Sequence, residues 1–92
     1  MYHHVVLFRL KEKTDISKFV SLLESLVGPV ESLRHLTVGQ DDSPSERSSD
    51  LCLITQFDDL SGYEEYRTHP FHLAVLNQLK PMVAESRKVD WG

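Results

Sequence analysis

The chain has little cysteine, and we expect neither a secretion signal nor a membrane-spanning segment. Cys52 is the only cysteine among 92 residues, so no intrachain disulfide can form, whereas a secreted domain of this size usually needs several. The N-terminus from Met1 to Val6 lacks the basic segment and long apolar run of a signal peptide. The other apolar runs are too short to span a bilayer. We therefore expect a cytoplasmic protein without a membrane partner.

Basic residues are also fewer than acidic ones. Ten Lys and Arg residues stand against 14 Asp and Glu residues, which gives a net charge of −4 with neutral histidines. A nucleic-acid surface needs clustered Lys and Arg, and this balance argues against one. The sequence has no glycine-rich phosphate loop and no dinucleotide fingerprint. We expect neither a nucleic-acid partner nor a cofactor.

What is present is the composition of one small globular domain. Hydrophobic residues make up 40% of the chain and charged residues 26%, which is ordinary for a folded protein. A chain of 92 residues is too short to fill two cores, so we predict a single domain over residues 1–92. Domains with so small a core often gain stability by association.

The first half of the chain reads as strand, helix and strand. Residues 2–10 alternate with apolar members on both sides, which predicts a strand covered on both faces. Residues 16–27 have helical periodicity, with Thr14 or Asp15 as the cap and Gly28-Pro29 as the end. A strand is predicted within residues 30–39. The polar residues 40–50 fit either a surface loop or an extended hairpin.

The second half repeats the pattern of strand, helix and strand. Residues 51–57 form the clearest strand, and Asp58 and Asp59 can cap a helix that must stop before Pro70. A second helical segment, residues 71–80, is predicted to bury a stripe of Leu73, Leu76 and Leu79. Residues 83–91 complete the order β-α-β-β-α-β. This order is typical of a ferredoxin-like α+β fold, a four-stranded antiparallel sheet with its helices on one face.

The face of the sheet opposite the helices is predicted to need a cover. The strands carry apolar residues on both sides, and two helices cannot cover both faces of four strands. A second copy of the chain is the simplest partner for such a face. The sequence therefore predicts a homodimer.

A cluster of residues in the second half carries a family resemblance. Tyr66-Arg67-Thr68-His69-Pro70-Phe71-His72 and Val89-Asp90-Trp91, with His4-Val5-Val6-Leu7-Phe8 near the start, resemble the stress-responsive α/β-barrel (Dabb) domain family. The resemblance covers nearly the whole chain and implies a ferredoxin-like monomer that pairs sheet to sheet into a homodimeric α/β barrel. Some members of the family close the rings of linear polyketides, and many have no assigned reaction.

The resemblance also implies a site. The base and its partner in the cyclases match His72 and Tyr66, and a pocket histidine on the first strand matches His4. A tyrosine and a second pocket histidine of the cyclases align with Leu23 and Leu51, which makes this pocket more apolar. We therefore expect catalysis by His72 and Tyr66, with a small hydrophobic ligand contacting these substrate-binding residues: His4, Phe8, Leu23, Leu51 and Leu53.

Structural roles compete with these assignments. His72 can instead cap a helix, Tyr66 can be a core aromatic, and His4 can be an ordinary core histidine. Asp90 is expected to face solvent or to pair with Arg87 or Lys88 on the same strand, and the alternative is a hydrogen bond from a pocket histidine. The alternatives to a cofactor-free enzyme acting on an apolar carbonyl compound are a hydrophobic-ligand binding module and a non-catalytic stress-responsive dimer.

Other polar residues are expected to have no catalytic role. His69 precedes a proline and is predicted to stabilise the break by bonding a free carbonyl. Pro70 also separates His69 from His72, and no third ligand is placed for zinc, so we expect no metal site. Cys52 lies within a strand with no histidine beside it in the sequence and is expected to be inert.

Overall fold

The fold is built on one antiparallel sheet with β1 as a central strand. The computed structural model describes residues 1–92. The strands are β1 (Tyr2–Leu10), β2 (His35–Gln40), β3 (Leu51–Phe57) and β4 (Val83–Trp91), in the spatial order β2-β3-β1-β4. All neighbouring strands pair antiparallel. The helices are α1 (Ile16–Glu24), α2 (Leu60–Thr68) and α3 (Pro70–Leu79). The ferredoxin-like α+β class predicted from the sequence is confirmed.

The helices and one face of the sheet enclose the core. Alternate residues of β3 point inward, and Leu51, Leu53, Thr55 and Phe57 are all buried. The core contains 15 buried hydrophobic residues: Val6, Leu10, Phe19, Leu23, Leu26, Val30, Leu33, Leu51, Leu53, Phe57, Tyr63, Tyr66, Val75, Leu79 and Met82. Every helix contributes, so burial of this single core is the main term that holds the layers together. None of the helices has the length and apolar character needed to cross a membrane.

The start of α1 differs from the prediction. Neither Thr14 nor Asp15 caps the helix with its side chain; a short 3₁₀ turn, Lys13–Asp15, leads into it instead. The reason is the backbone of Asp15, which is helical (φ −85°, ψ −5°), whereas a capping side chain needs an extended backbone. The regular helix also ends earlier than predicted, at Glu24, and turns continue to Gly28. Gly28 has φ +104°, a conformation that favours glycine.

The start of the second strand and the buried face of α3 also differ from the predictions. The second strand begins at His35 rather than near residue 30, because Val30 and Leu33 are buried within turns. The buried stripe of α3 is His72, Val75 and Leu79, whose spacing of three and four places them on one helical face. Leu73 lies outside this stripe and is 47% exposed. Residues 41–50 form an irregular loop, held at its end by the Asp50 carboxylate, which accepts a hydrogen bond from the Leu10 amide at 2.8 Å.

The outer face of the sheet, defined here as the side away from the helices, carries exposed apolar side chains. Leu7 is 44% exposed, Val89 is 56% exposed and Trp91 is 48% exposed. The pairing of β1 with β4 places these residues on one side, since Val5 faces Val89 and His3 faces Trp91. Within the chain, Trp91 stacks on His3, with ring centroids 4.6 Å apart.

The capping of α2 leads to a stability prediction. Asp59 has an extended backbone, and its carboxylate accepts a hydrogen bond from the Gly62 amide at 2.9 Å. Asp59→Ala removes this cap and is expected to lower the free energy of unfolding by about 1 kcal/mol. Urea unfolding measures the change, with the exposed loop variant Asp42→Ala as the control. Equal stability of the two variants would contradict the capping role.

Candidate active site

A cavity of about 320 Å³ lies between the helices and the inner face of the sheet. Nine of its 15 lining residues are hydrophobic if the two tyrosines are counted among them, and the six polar ones come from β1, α2, α3 and β4. Such an apolar pocket with a few converging polar groups is the usual form of a small-molecule site. The lining residues are His4, Val6, Phe8, Leu23, Leu26, Leu53, Tyr63, Tyr66, Arg67, His72, Leu76, Leu79, Ser86, Arg87 and Lys88.

The break between α2 and α3 brings Tyr66 and His72 together. His69 has an extended backbone (φ −63°, ψ 131°), and Pro70 occupies the start of α3, where its missing amide hydrogen costs nothing. The His69 side chain caps α3, since its Nδ1 accepts a hydrogen bond from the Phe71 amide at 3.0 Å. It therefore binds an amide, and the predicted bond to a carbonyl was wrong. Across this break the rings of Tyr66 and His72 lie 4.0 Å apart between centroids.

The hydrogen bond of His72 determines which ring nitrogen faces the cavity. Its Nδ1 lies 3.3 Å from the Arg67 carbonyl, and because a carbonyl only accepts, Nδ1 carries the proton in this contact. The lone pair of the neutral ring is then on Nε2, which has no partner within the chain and is not sealed in the core. Burial lowers the pKa of His72, and the Arg67 carbonyl offsets part of that effect. A neutral ring with a free lone pair is the form that can remove a proton.

Tyr66 supplies a phenol whose ring lies 4.0 Å from the ring of His72 between centroids. Its side chain is buried, and burial, followed by the influence of Tyr63, raises the pKa of its phenol above the ordinary value of 10.0. The phenol therefore keeps its proton at neutral pH and acts as a hydrogen-bond donor. The nearby Tyr63 hydroxyl lies 3.5 Å from Asp90 Oδ2, whereas the Tyr66 hydroxyl is left free to meet a bound molecule.

His4 enters the cavity from the sheet, held by a carboxylate. The register of β1 and β4 places His4 opposite Asp90 on the inner face, and His4 Nδ1 lies 2.5 Å from Asp90 Oδ1. Lys88 donates to the other oxygen of the same carboxylate. Burial raises the pKa of Asp90, but the hydrogen bonds from Lys88 and His4 outweigh it, and the net pKa is lowered. The Asp90 side chain is only 11% exposed, so the expectation that it faces solvent was wrong, whereas a pocket histidine and a basic neighbour are both present as partners.

The structure brings together most of the apolar residues predicted for the site. Phe8, Leu23 and Leu53 line the cavity together with His4, Tyr66 and His72. Leu51 does not line it; this side chain is 2% exposed and packs in the core at the far end of β3. No group of three or more His, Cys, Asp or Glu side chains is arranged to hold a metal ion. Cys52 is partly buried and unpaired.

Sequence reasoning missed five lining residues that carry polar groups: Tyr63, Arg67, Ser86, Arg87 and Lys88. Helical spacing held a usable signal for one of them, because Tyr63 precedes Tyr66 by three residues and shares its helix face. Strand alternation gave a usable signal for Lys88, because Lys88 and Asp90 are two residues apart on one strand and therefore lie on the same face. That these faces border a cavity depends on how α2 and α3 lie across the sheet, which no local spacing reveals.

Comparison with known proteins gives a consistent picture. The model of the stress responsive A/B barrel domain matches residues 2–92. No curated protein matches the chain. A dimeric ferredoxin-like protein of unknown function from Bacteroides fragilis has 27% identity and a TM-score of 0.84, covering 98% of this chain and 93% of its own.

Two more distant structures share the fold. A Dabb family protein with a ferredoxin-like fold from Mesorhizobium loti has 22% identity and a TM-score of 0.84, with 99% of this chain and 94% of that chain covered. A hydroxynitrile lyase from Passiflora edulis has 13% identity and a TM-score of 0.86, with 98% and 90% covered. At these identities the likeness concerns the fold alone.

Burial of His72 predicts a dependence of stability on pH. Its pKa is lowered from 6.5 in the folded protein, so below pH 6.5 the unfolded chain takes up a proton that the folded protein resists. The stabilising effect of the neutral ring is complete above pH 6.5 and is lost as the pH falls towards the lowered value. Urea unfolding across this range should show a shallower decline in His72→Gln than in the wild type or in the exposed control His35→Gln. Identical slopes for all three would show that His72 is not the group responsible.

Proposed function

Because the chain belongs to the stress responsive A/B barrel domain family, we propose that it is a cofactor-free enzyme which removes a proton next to the carbonyl of a small apolar compound. The observation that carries the proposal is the pairing of a neutral imidazole with a phenol, 4.0 Å apart between ring centroids, in an apolar cavity. Cyclisation and isomerisation both begin with this step. The family alone does not select the reaction, since one fold serves many activities.

His72 is the proposed base. In the first step Nε2 of His72 takes a proton from the carbon next to the carbonyl, and the electrons of the C–H bond move to form an enolate. Tyr66 donates its hydroxyl hydrogen bond to the enolate oxygen as negative charge grows there. The proton on His72 later returns to carbon or passes to solvent, so the enzyme ends unchanged.

The walls define the proposed substrate class. Phe8, Leu23 and Leu53 offer only apolar contacts, and Leu23 occupies a position where the cyclases resembling this chain have a polar side chain. The volume of about 320 Å³ lies at the lower end of the range of about 300–1,000 Å³ typical of ligand pockets. A small ketone with an apolar body fits these limits. Leu51 lies outside the lining, so we propose no substrate contact for it.

Two non-catalytic functions use the same features. In a binding module, the cavity holds a hydrophobic ligand and His72 only orients it. In a stress-responsive structural dimer, the cavity has no ligand. The Arg67 carbonyl satisfies one nitrogen of His72, as a structural role requires, but Nε2 and the Tyr66 hydroxyl remain available, which favours an active site or binding site.

Hydrogen–deuterium exchange tests the proton-abstraction step without knowledge of the natural substrate. We expect the wild type to accelerate exchange at the carbon next to the carbonyl of phenylacetone in D₂O, followed by NMR. His72→Ala should lower the rate by about 10²–10⁴-fold, as expected for loss of a general base. Tyr66→Phe should lower it by about 10²-fold, as for loss of an oxyanion donor.

The exposed His35→Ala variant is the matched control and should exchange phenylacetone at the wild-type rate. Circular dichroism should confirm that every variant is folded. Wild-type-like exchange in folded His72→Ala would remove His72 as the base. Saturable binding of phenylacetone by the wild type without any acceleration would favour the binding module.

We further propose that residues 1–92 act as one domain that pairs with a second copy through the outer face of the sheet. The argument is the apolar strip of Leu7, Val89 and Trp91 on a face that no helix covers. The similar protein from Bacteroides fragilis is dimeric, which supports pairing of this chain with a second copy. A cytoplasmic location stays a prediction of the sequence.

Sedimentation equilibrium tests the dimer. The wild type should have twice the 10.6 kDa mass of the chain at micromolar concentration. Leu7→Glu places a charge within the proposed interface and should give monomers, because an unpaired charge is costly to bury. Leu73→Glu is the matched control on the helical side, where Leu73 is 47% exposed compared with 44% for Leu7. A monomeric wild type, or dissociation in both variants alike, would contradict the proposed interface.

A further inference from the structure

We propose that His4, positioned by Asp90, is a second proton-transfer group of the cavity and gives its proton to the substrate oxygen. This inference rests on the proton abstraction proposed for His72. It changes the site from one base with a phenol partner into a base and an acid on opposite walls. His4 is then a catalytic residue, and Asp90 is a positioning residue that acts through it.

The position of His4 suits this role. His4 lies on β1 in the sheet, and His72 lies on α3 in the layer that covers it; both line the same cavity. Tyr66 lies near both rings, with centroid distances of 6.3 Å to His4 and 4.0 Å to His72. A carbonyl compound held beside Tyr66 therefore presents its oxygen and its acidic carbon to groups on two different walls.

The contact with Asp90 sets the tautomer of His4. A carboxylate only accepts hydrogen bonds, so His4 Nδ1 must donate to Asp90 Oδ1. Nε2 is then the ring nitrogen available to a molecule in the cavity, because it has no partner within the chain and is not sealed in the core. Asp90 also balances the positive charge of the ring when Nε2 carries a proton. A carboxylate that orients a histidine and stabilises its charged form recurs in acid–base sites.

In the transfer of a proton from His4 to the substrate, all atoms and electrons are accounted for. Protonated His4 gives the hydrogen on Nε2 to the enolate oxygen, and the electron pair of that oxygen forms the new O–H bond, leaving an enol. In an aldol step the alkoxide oxygen takes the proton instead. His4 ends neutral and His72 ends protonated, so a proton returned through solvent resets the pair. No oxidant, reductant or cofactor is needed.

The surrounding charges allow the two histidines to differ in protonation. The groups that face His4 are Asp90 and Lys88 from β4, Tyr63 and Tyr66 from α2, and His72 from α3. Lys88 is about 60% exposed in its side chain, so solvent screens its repulsion of a charged His4. A positive charge on His4 in turn contributes to lowering the pKa of His72. One ring can thus be the acid while the other remains the base.

Phenylacetone exchange in D₂O tests the inference through Asp90→Asn, which keeps the shape of the side chain but removes its charge. We expect kcat to fall about 10–100-fold, by analogy with the loss of a partner that orients a metal-bound histidine, with KM within about twofold of the wild type. The kcat–pH profile should change as well, because the carboxylate charge beside His4 is removed. His4→Gln should also change the profile. A purely structural role for Asp90 would leave the profile as it is in the wild type.

The controls are Asp42→Asn and His35→Gln, which alter exposed side chains away from the cavity and should leave the profile unchanged. Nitrogen-15 NMR of the wild type provides a readout independent of activity: His4 should carry its proton on Nδ1 when neutral. A neutral His4 protonated only on Nε2 would overturn the inference.

The possible failures can be separated. If the wild type does not accelerate exchange, the proposed function fails, and the role of His4 fails with it. If exchange depends on His72 but Asp90→Asn and His4→Gln retain the wild-type kcat and pH profile, the proposed function stands and the role of His4 is overturned.

Discussion

The structure depends on the two-residue alternation of β1, a strand paired on both sides. β3 and β4 hold β1 by antiparallel hydrogen bonds, so each of its side chains must point to one face or the other. His4, Val6 and Leu10 are buried towards the helices. The alternate residues, among them Val5 and Leu7, point to the outer face. A shift of register by one residue would exchange the cavity wall with the proposed interface.

The break at His69-Pro70 is the second constraint. A proline inside a continuous helix would lose a backbone hydrogen bond and clash with the preceding turn, so the chain ends α2 and begins α3 there. His69 satisfies a free amide of the new helix with its own ring. The result is a change of direction that presents Tyr66 and His72 to the same space, at a centroid distance of 4.0 Å. The break that His69 caps is therefore also the feature that forms the site.

The polar groups of the cavity come from both layers of the fold, the sheet and the helices. His4 comes from the sheet with its carboxylate partner, while His72 and Tyr66 come from the helices. Burial opposes a charge on His72, whereas Asp90 can balance one on His4. One cavity thus holds two imidazoles in different electrostatic surroundings. Environments that separate two titratable groups in this way are a common basis for assigning an acid and a base.

The sequence by itself determined the features that depend on neighbours along the chain. Strand alternation predicted Tyr2–Leu10, Leu51–Phe57 and Val83–Trp91, and the proline marked the break between helices. Tertiary structure decided the pairing of His4 with Asp90, 86 residues apart, and the removal of Leu51 from the cavity. It also decided the inward stripe of α3, because the angle at which that helix meets the sheet selects which leucines are buried. Such long-range contacts depend on packing between layers, so the local periodicity of the sequence does not predict them.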